Sequence, residues 1–410
     1  MLKNYFKIAI AVLKRRKFFT FISLFGISLT LTILLLLTAF IDKVVTGNYP
    51  DKKRDRSLYV TALNEIGTKS GWFSNGALSF YFLDHFAGSL KTPVRMAISS
   101  NPKATNTYVH DRKISLHYKY TNAAFWEVTD YDFLEGKAFS AQQVAQGELV
   151  TVISEDTKKE YFGDVPSVVG KYIEADNVQY RVCGVVKNVP ATTYILFSDI
   201  YLPYTVSKKD YRDRGYMGDY TAILLAASKA ELPKMREEYE QMMKKIPMEN
   251  KDFDQIYSHA ESYAAAYVST GNEKSSGMAL ALLVISAFVL LVTLVPALNL
   301  VNINITRIME RSSEIGIRKA FGASSRTLVF QFIVENLILT LLGGVIGVLL
   351  SYAIIQIFNG SGLIPNLELS LNFRVLLYGL LACLFFGLLS GVYPAWRMSK
   401  MKIVNALKAQ

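Results

Sequence analysis

FFTFISLFGISLTLTILLLLTAFI, residues 18–41, carries no charged side chain over 24 consecutive positions. A helix rising about 1.5 Å per residue needs about 20 apolar residues to cross a hydrocarbon core about 30 Å thick, so this run is long enough to span. Working outward, three more apolar runs stand at 278–303, 328–358 and 373–396. Glu335 is the one acid in the third run, and Arg374 marks the edge of the fourth. The expectation is four transmembrane helices. Residues 42–277, between the first two, have the mixed composition of a water-soluble domain. An early apolar run also resembles a cleaved signal peptide. This one follows 17 residues, exceeds the usual signal core and lacks a small-x-small pair after it, which favours an uncleaved anchor.

The net charge of +11 would, in a soluble chain, suggest a nucleic-acid partner. Its distribution excludes that reading. Residues 42–277 hold 29 Lys and Arg against 30 Asp and Glu, so the domain is near neutral. The excess sits at 3–17, 307–326 and 397–408, whereas 359–372 has no Lys or Arg. This alternation follows the positive-inside rule. It predicts cytoplasmic placement for 1–17, 304–327 and 397–410, with 42–277 and the 359–372 loop outside. The expected location is the cell inner membrane, multi-pass, with both termini cytoplasmic. Cys183 falls in the outer domain and Cys383 in the fourth span, so no disulfide framework is expected.

Within 1–17, Leu2, Phe6, Ala9 or Ile10 and Leu13 recur at helical spacing with Lys3, Lys7 and Lys14 on other faces, which favours an amphipathic helix lying on lipid over a plain cytoplasmic tail. The outer domain reads as α+β and two-lobed. Strands are expected at 57–62 and 94–99 around a helix at 79–89, and at 220–226 and 253–259 around a helix at 232–245. The strand-rich middle includes 150–154 and 180–186. A distal lobe at about 95–190 and a membrane-proximal lobe made from both ends are expected. The polar stretch 271–277 reads as a hinge, and Pro296 as a kink in the second span. In the third span, Gly343, Gly344 and Gly347 form a small-residue face suited to close helix packing or a dimer contact. The plainer explanation is that glycine is common in membrane helices.

The most informative cytoplasmic segment is RIMERSSEIGIRKAFGASSRTLVFQFIVEN, residues 307–336. Glu314 and Arg318 stand four apart in the favourable acid-before-base order. Gly322 ends that short helix, and Ser324 or Ser325 can cap the next one. Ile315, Ile317 and Phe321 beside Arg318 and Lys319 make a knob suited to docking in a cytoplasmic partner, or else an ordinary solvated loop. On these residues alone both remain open.

Glu314-Ile-Gly-Ile-Arg-Lys-Ala-Phe-Gly-Ala323 resembles the coupling-helix region of the FtsX/MacB permease superfamily. So does the ending Leu389-Ser-Gly-Val-Tyr-Pro-Ala-Trp396. In the outer domain 122–136, 152–154, 162–163, 170–171 and 183–190 are similar to the MacB-type periplasmic core. The resemblance implies a mechanotransmission-type ABC permease subunit. Glu314, Ile315, Gly316, Ile317, Arg318, Lys319, Ala320 and Phe321 would then couple to an ATPase. It implies export or extraction of an envelope substrate such as a peptide, lipoprotein or antimicrobial, and paired permease subunits, homo- or heterodimeric. A periplasmic adaptor and an outer-membrane channel are further candidate partners. MacB carries its ATPase ahead of its first helix, and here 17 residues precede that helix. The ATPase dimer, with its ATP and magnesium, is therefore expected on a separate protein. Some relatives carry a second four-helix set, which this sequence lacks. The alternative within the superfamily is an FtsX-like regulator that activates envelope or cell-wall enzymes without transporting anything.

No catalytic residue, cofactor site or metal site is predicted. The best match to a phosphate loop, 163–172, has its glycines too far apart and Tyr172 in place of the hydroxyl. His85, His110, His117 and His259 show no metal-ligand spacing. Ser154-Glu155-Asp156 reads as a helix cap rather than a nucleophile. Glu335, flanked by Gln331 and Asn336, reads as a residue near the cytoplasmic boundary rather than as a functional intramembrane acid, the other reading of an acid in a span. Trp72, Phe73, Phe80, Tyr81 and Phe82 are expected in the domain core rather than at a ligand.

Overall fold

The computed structural model describes residues 17–47, 49–109, 112–248, 250–269, 277–292 and 324–371, with scattered single positions beyond them such as 317 and 321. Two compact units emerge. One is Lys43–Leu282 with Gly362–Leu367, and the other comprises Met1–Asp42, Leu283–Ser361 and Glu368–Gln410.

The first helix, α1, is Lys17–Val45. The domain then begins with β1 (Ser57–Val60), the hairpin β2 (Leu63–Ile66) and β3 (Phe73–Leu78), helix α2 (Phe80–His85), and β4 (Arg95–Ser100). Next come β5 (Lys103–Val109), β6 (Arg112–Thr121), α3 (Phe125–Val128), β7 (Phe133–Gly136), α4 (Ala141–Gln146), β8 (Val150–Ser154) and α5 (Glu155–Phe162). β9 (Tyr172–Ala175), β10 (Val178–Val186), β11 (Ile200–Pro203), β12 (Met217–Gly218) and β13 (Tyr220–Leu225) follow. α6 (Leu232–Met243), β14 (Gln255–Ser258) and α7 (Tyr263–Val268) complete the domain. Beyond it lie the apolar helix α8 (Met278–Val292) and the long helix α9 (Ser325–Ser361). Among the described residues, Lys17–Lys43 within α1 and Ile333–Ser361 within α9 are long and apolar enough to cross a bilayer.

The strands join in the order β14-β2-β3-β13-β4-β6-β11-β8-β10-β7, with β1 on β13, β12 on β3, β5 on β6 and β9 on β10. Alternation of side chains across this sheet fills two cores. On one face lie Leu58, Ile98, Ile153, Tyr180, Leu202 and Leu224 under α2 and α6. On the other lie Tyr59, Ala97, Val152, Val186, Tyr201 and Ile223 under α3, α4 and α7. Burial on both faces explains why β8, β11 and β13 are apolar without alternation.

The two-lobed expectation was a distal lobe at about 95–190 and a proximal lobe made from both ends of the domain. Residues 103–203 do form one half of the sheet, and the two ends of the domain form the other. Both halves belong to one compact unit, however, and each core runs across both. The junction is β4, which pairs along its whole length with β13 and meets β6 only at Ser99↔Thr121. The hairpin β2–β3 was missed, because Asn64, Glu65, Asn75 and Gly76 break the apolar alternation that marks a strand. The reading of 94–99 as closing a unit with 57–62 also changes, since β13 lies between β1 and β4 and pairs with both. The hinge at 271–276 and Pro296 lie outside the described residues.

Candidate functional site

The glycines singled out in the sequence lie on α9. Gly343, Gly344 and Gly347 are all buried. A Cβ on Gly343 would stand 2.7 Å from Ile27 Cγ2, and one on Gly347 would stand 2.9 Å from the Ser28 carbonyl oxygen. This face is therefore turned to the chain's own first helix. Thr32 Oγ1 hydrogen-bonds the Gly347 carbonyl at 3.2 Å and the Ser28 carbonyl at 2.7 Å. Leu24 packs on Val334, Ile338 and Leu339, and the rings of Phe40 and Phe358 meet edge to face at 5.5 Å. Partners advance together along both helices, from Leu24 with Ile338, through Ile27 with Gly343 and Leu31 with Gly347, to Phe40 with Phe358. The two helices run parallel.

Hydroxyls within α1 bond back one turn, Thr30 to the Gly26 carbonyl at 2.8 Å and Ser23 to Phe19 at 2.9 Å. Such groups have no water to bond in hydrocarbon, so they are satisfied on the helix itself. The sequence reading did not identify α1 as the partner of the glycines. The available signal was the run of Ser23, Ser28, Thr30 and Thr32 in an otherwise aliphatic stretch, since small polar residues also mark close helix approach.

Of the coupling residues, Glu314, Ile315, Gly316, Arg318, Lys319 and Ala320 lie outside the described residues. Ile317 is helical and Phe321 is a turn residue; their side chains are 51% and 89% exposed, and the Phe321 N–H bonds the Ile317 carbonyl at 3.0 Å. Ser324 caps α9, its hydroxyl accepting from the Thr327 N–H at 3.2 Å. Glu335 and Gln331 are buried, and Glu335 stands just inside the start of the apolar stretch Ile333–Ser361.

In the domain, Ser154 is a helix cap, accepting from the Thr157 N–H at 3.1 Å. His117 Nδ1 pairs with Asp199 at 3.1 Å, and His85 stacks on Tyr81. Among the described residues no group of three or more His, Cys, Asp or Glu side chains is placed to hold a metal. The aromatic cluster divides. Phe80 and Phe82 are in the core and Tyr81 packs on it, but Trp72 and Phe73 are exposed at the tip of the β2–β3 hairpin. They follow the turn closed by the Gly71 N–H on the Gly67 carbonyl, which carries them away from the sheet.

Lys119, on β6, is fully buried, and its ammonium donates to the carbonyls of Tyr194 and Ile195. Burial pushes its pKa down from 10.5 to about 7. Between those values the unfolded chain binds the extra proton, so stability rises with pH across the window. The slope is at most about 1.4 kcal/mol per pH unit. Chemical denaturation of the chain should therefore show a higher midpoint at pH 9 than at pH 7, and Lys119→Met should flatten the difference.

Helices apolar enough to span lipid, and a sizeable α+β domain inserted between them, define a membrane protein with an extracytoplasmic domain. The comparisons identify it further. Residues 20–242 match the MacB-like periplasmic core domain, and residues 286–403 match the FtsX-like permease C-terminal region. The chain belongs to the ABC transporter permeases of this FtsX-like, MacB-like family. It is 22% identical over 320 residues to the ABC transporter permease YknZ of Bacillus subtilis, covering 77% of this chain and 75% of that one. It is 25% identical over 287 residues to the macrolide export ATP-binding/permease protein MacB of Pasteurella multocida. It is 27% identical over 288 residues to the pyoverdine export ATP-binding/permease protein PvdT of Pseudomonas fluorescens. Each of the last two matches covers 70% of this chain and 42% of the relative, and the matched families are permease regions.

Proposed function

We propose that the chain is the permease subunit of a mechanotransmission-type ABC transporter, moving its outer domain at the expense of ATP hydrolysed by a separate ATPase dimer. Two permease subunits pair, and the cargo is an envelope substrate that is exported or extracted. The observation that carries this reading is the parallel packing of α1 and α9. A chain that leaves α1, forms the outer domain and returns without crossing would start α9 at the far end of α1, and the two would run antiparallel. A crossing by the second span, 278–303, accounts for the parallel arrangement. It also puts the basic stretches 3–17 and 307–326 at the same membrane face, as the positive-inside rule favours. A fourth span at 373–396 then returns the basic tail to that face, giving four helices with cytoplasmic termini in the inner membrane.

In this arrangement the 314–321 segment is the contact with the ATPase, and closure of the ATPases pulls on helices continuous with the domain. The test is charge reversal by Glu314→Lys with Arg318→Glu in the complex purified with its ATPase. ATPase stimulation should fall about tenfold or more while the variant still inserts and assembles, because a desolvated charge pair turned repulsive costs several kcal/mol. Stimulation equal to that of the unmodified complex rules out this segment as the coupling contact.

A further inference from the structure

The chain joining α1 to the domain contains a buried ion pair. Arg54 Nε donates to Asp51 Oδ2 at 2.8 Å, with the side chains 6% and 5% exposed. The Tyr59 hydroxyl donates to the same oxygen at 2.6 Å, and Arg54 Nη1 donates to the Thr46 carbonyl at 3.0 Å. The guanidinium lies 3.7 Å from the ring centroid of Tyr263, the first residue of α7. Tyr59 and Tyr263 meet edge to face at 5.1 Å. Alongside, Tyr59 and Glu261 exchange both backbone hydrogen bonds, at 2.7 and 2.9 Å.

These contacts unite segments that the sequence keeps about 200 residues apart. Thr46 directly follows α1, whereas Tyr263 belongs to the stretch that leaves the domain for α8. A buried ion pair stabilises little more than apolar side chains of equal volume would. What a planar guanidinium adds is geometry: it satisfies a carboxylate and a carbonyl in its own plane while stacking on an aromatic face. Apolar packing would hold the same segments together without fixing their register. The entering segment is also fastened to the sheet's far half, with the Asp130 N–H on the Pro50 carbonyl at 2.7 Å, the Tyr49 hydroxyl on the Lys187 carbonyl at 2.8 Å, and Lys53 on Asp130 at 3.1 Å.

We propose that Asp51, Arg54, Tyr59 and Tyr263 form a clamp that locks the domain's entering and leaving segments into one body, so that displacement of either membrane connection moves the whole sheet. The clamp is a positioning device, and its use in transmission rests on the proposed coupling of the permease to an ATPase.

The experiment is amide hydrogen exchange on the full chain in lipid nanodiscs, without ATPase, comparing the unmodified protein with Arg54→Lys and with Tyr263→Leu. Lysine keeps the charge but cannot bond Asp51 and Thr46 while stacking on Tyr263. Tyr263→Leu removes the stack from the other side. For either variant, exchange should rise about tenfold at both 51–59 and 261–268, and by the same factor at the two. A rise confined to one segment, unequal rises at the two, or no change would overturn the clamp. The measurement does not involve the ATPase, so failure of the Glu314/Arg318 test would sink the coupling reading without deciding this one.

Discussion

Replacing Arg54 with methionine should destabilise the domain by about 3–5 kcal/mol, because breaking a buried ion pair from one side leaves the other charge uncompensated. Asp51 would keep the Tyr59 hydroxyl, but one hydrogen bond does not replace a cation for a carboxylate 5% exposed. Burial, with the Asp51 carboxylate adding to it, pushes the Tyr59 pKa well above its ordinary value, so Tyr59 stays a neutral donor to Asp51 and brings no positive charge. In a domain of this size each kcal/mol moves the thermal midpoint by about 2–4 °C, so a fall on the order of 10 °C is expected in detergent-solubilised full chain. The double variant Arg54→Met with Asp51→Asn should recover part of this loss, since the amide oxygen still accepts from Tyr59 and carries no charge. A single variant no less stable than the double would show that the unpaired carboxylate is not the source of the cost.

The Asp51–Arg54 pair also shows where sequence reading stops. In DKKRDR, residues 51–56, it is one acid and one base in a charged stretch that reads as a solvated turn. What buries it is Tyr263, brought in by the Tyr59↔Glu261 bridge, and no local pattern records such a long-range pairing. Elements set by a local rule were legible. The two described spanning helices were expected from length and charge exclusion alone, which lipid demands of any crossing segment. β8 and β13 were expected as strands and α6 as a charged amphipathic helix at 232–245, and its Met235, Tyr239 and Met243 are the buried face. The unity of the sheet was not legible, because β4 joins its halves through one register pair with β6. Nor was the exposure of Trp72 and Phe73. Composition assigns large aromatics to a core, and only the turn geometry of the β2–β3 hairpin places these two outside it. The candidate site was half legible. The glycine face of α9 stood out, but its occupant depends on which helix arrives beside it.

Gly347→Leu should separate α1 from α9. The nearest atoms to a new Cβ are the Ser28 carbonyl oxygen at 2.9 Å and Leu31 Cβ at 3.0 Å, one backbone and one fixed to it, so neither can rotate away. At Gly343 the nearest atom is Ile27 Cγ2, but Ile27 Cβ follows at 2.8 Å, so rotation gives little relief there either. Relief at 347 requires the helix axes to part, which stretches the Thr32 bond to the Gly347 carbonyl beyond its 3.2 Å and undoes the contact on both sides. Overpacking of this kind costs about 1–3 kcal/mol where neighbours can adjust, and more where the obstacle is backbone. In lipid no hydrophobic force pulls the helices back together, because the hydrocarbon solvates leucine as well as a neighbouring helix does. A cysteine pair replacing Phe40 and Phe358, whose rings now meet at 5.5 Å, reads the separation directly. Crosslinking of this pair in membranes by a short bifunctional thiol reagent should be efficient in the parent and fall about tenfold with Gly347→Leu. Gly360→Leu, where a Cβ meets nothing within 4 Å, should leave it unchanged. Equal crosslinking with leucine at 347 and at 360 would mean that the glycine face does not set the spacing of these helices. The parallel pairing that supports the four-helix topology would then lose its structural basis.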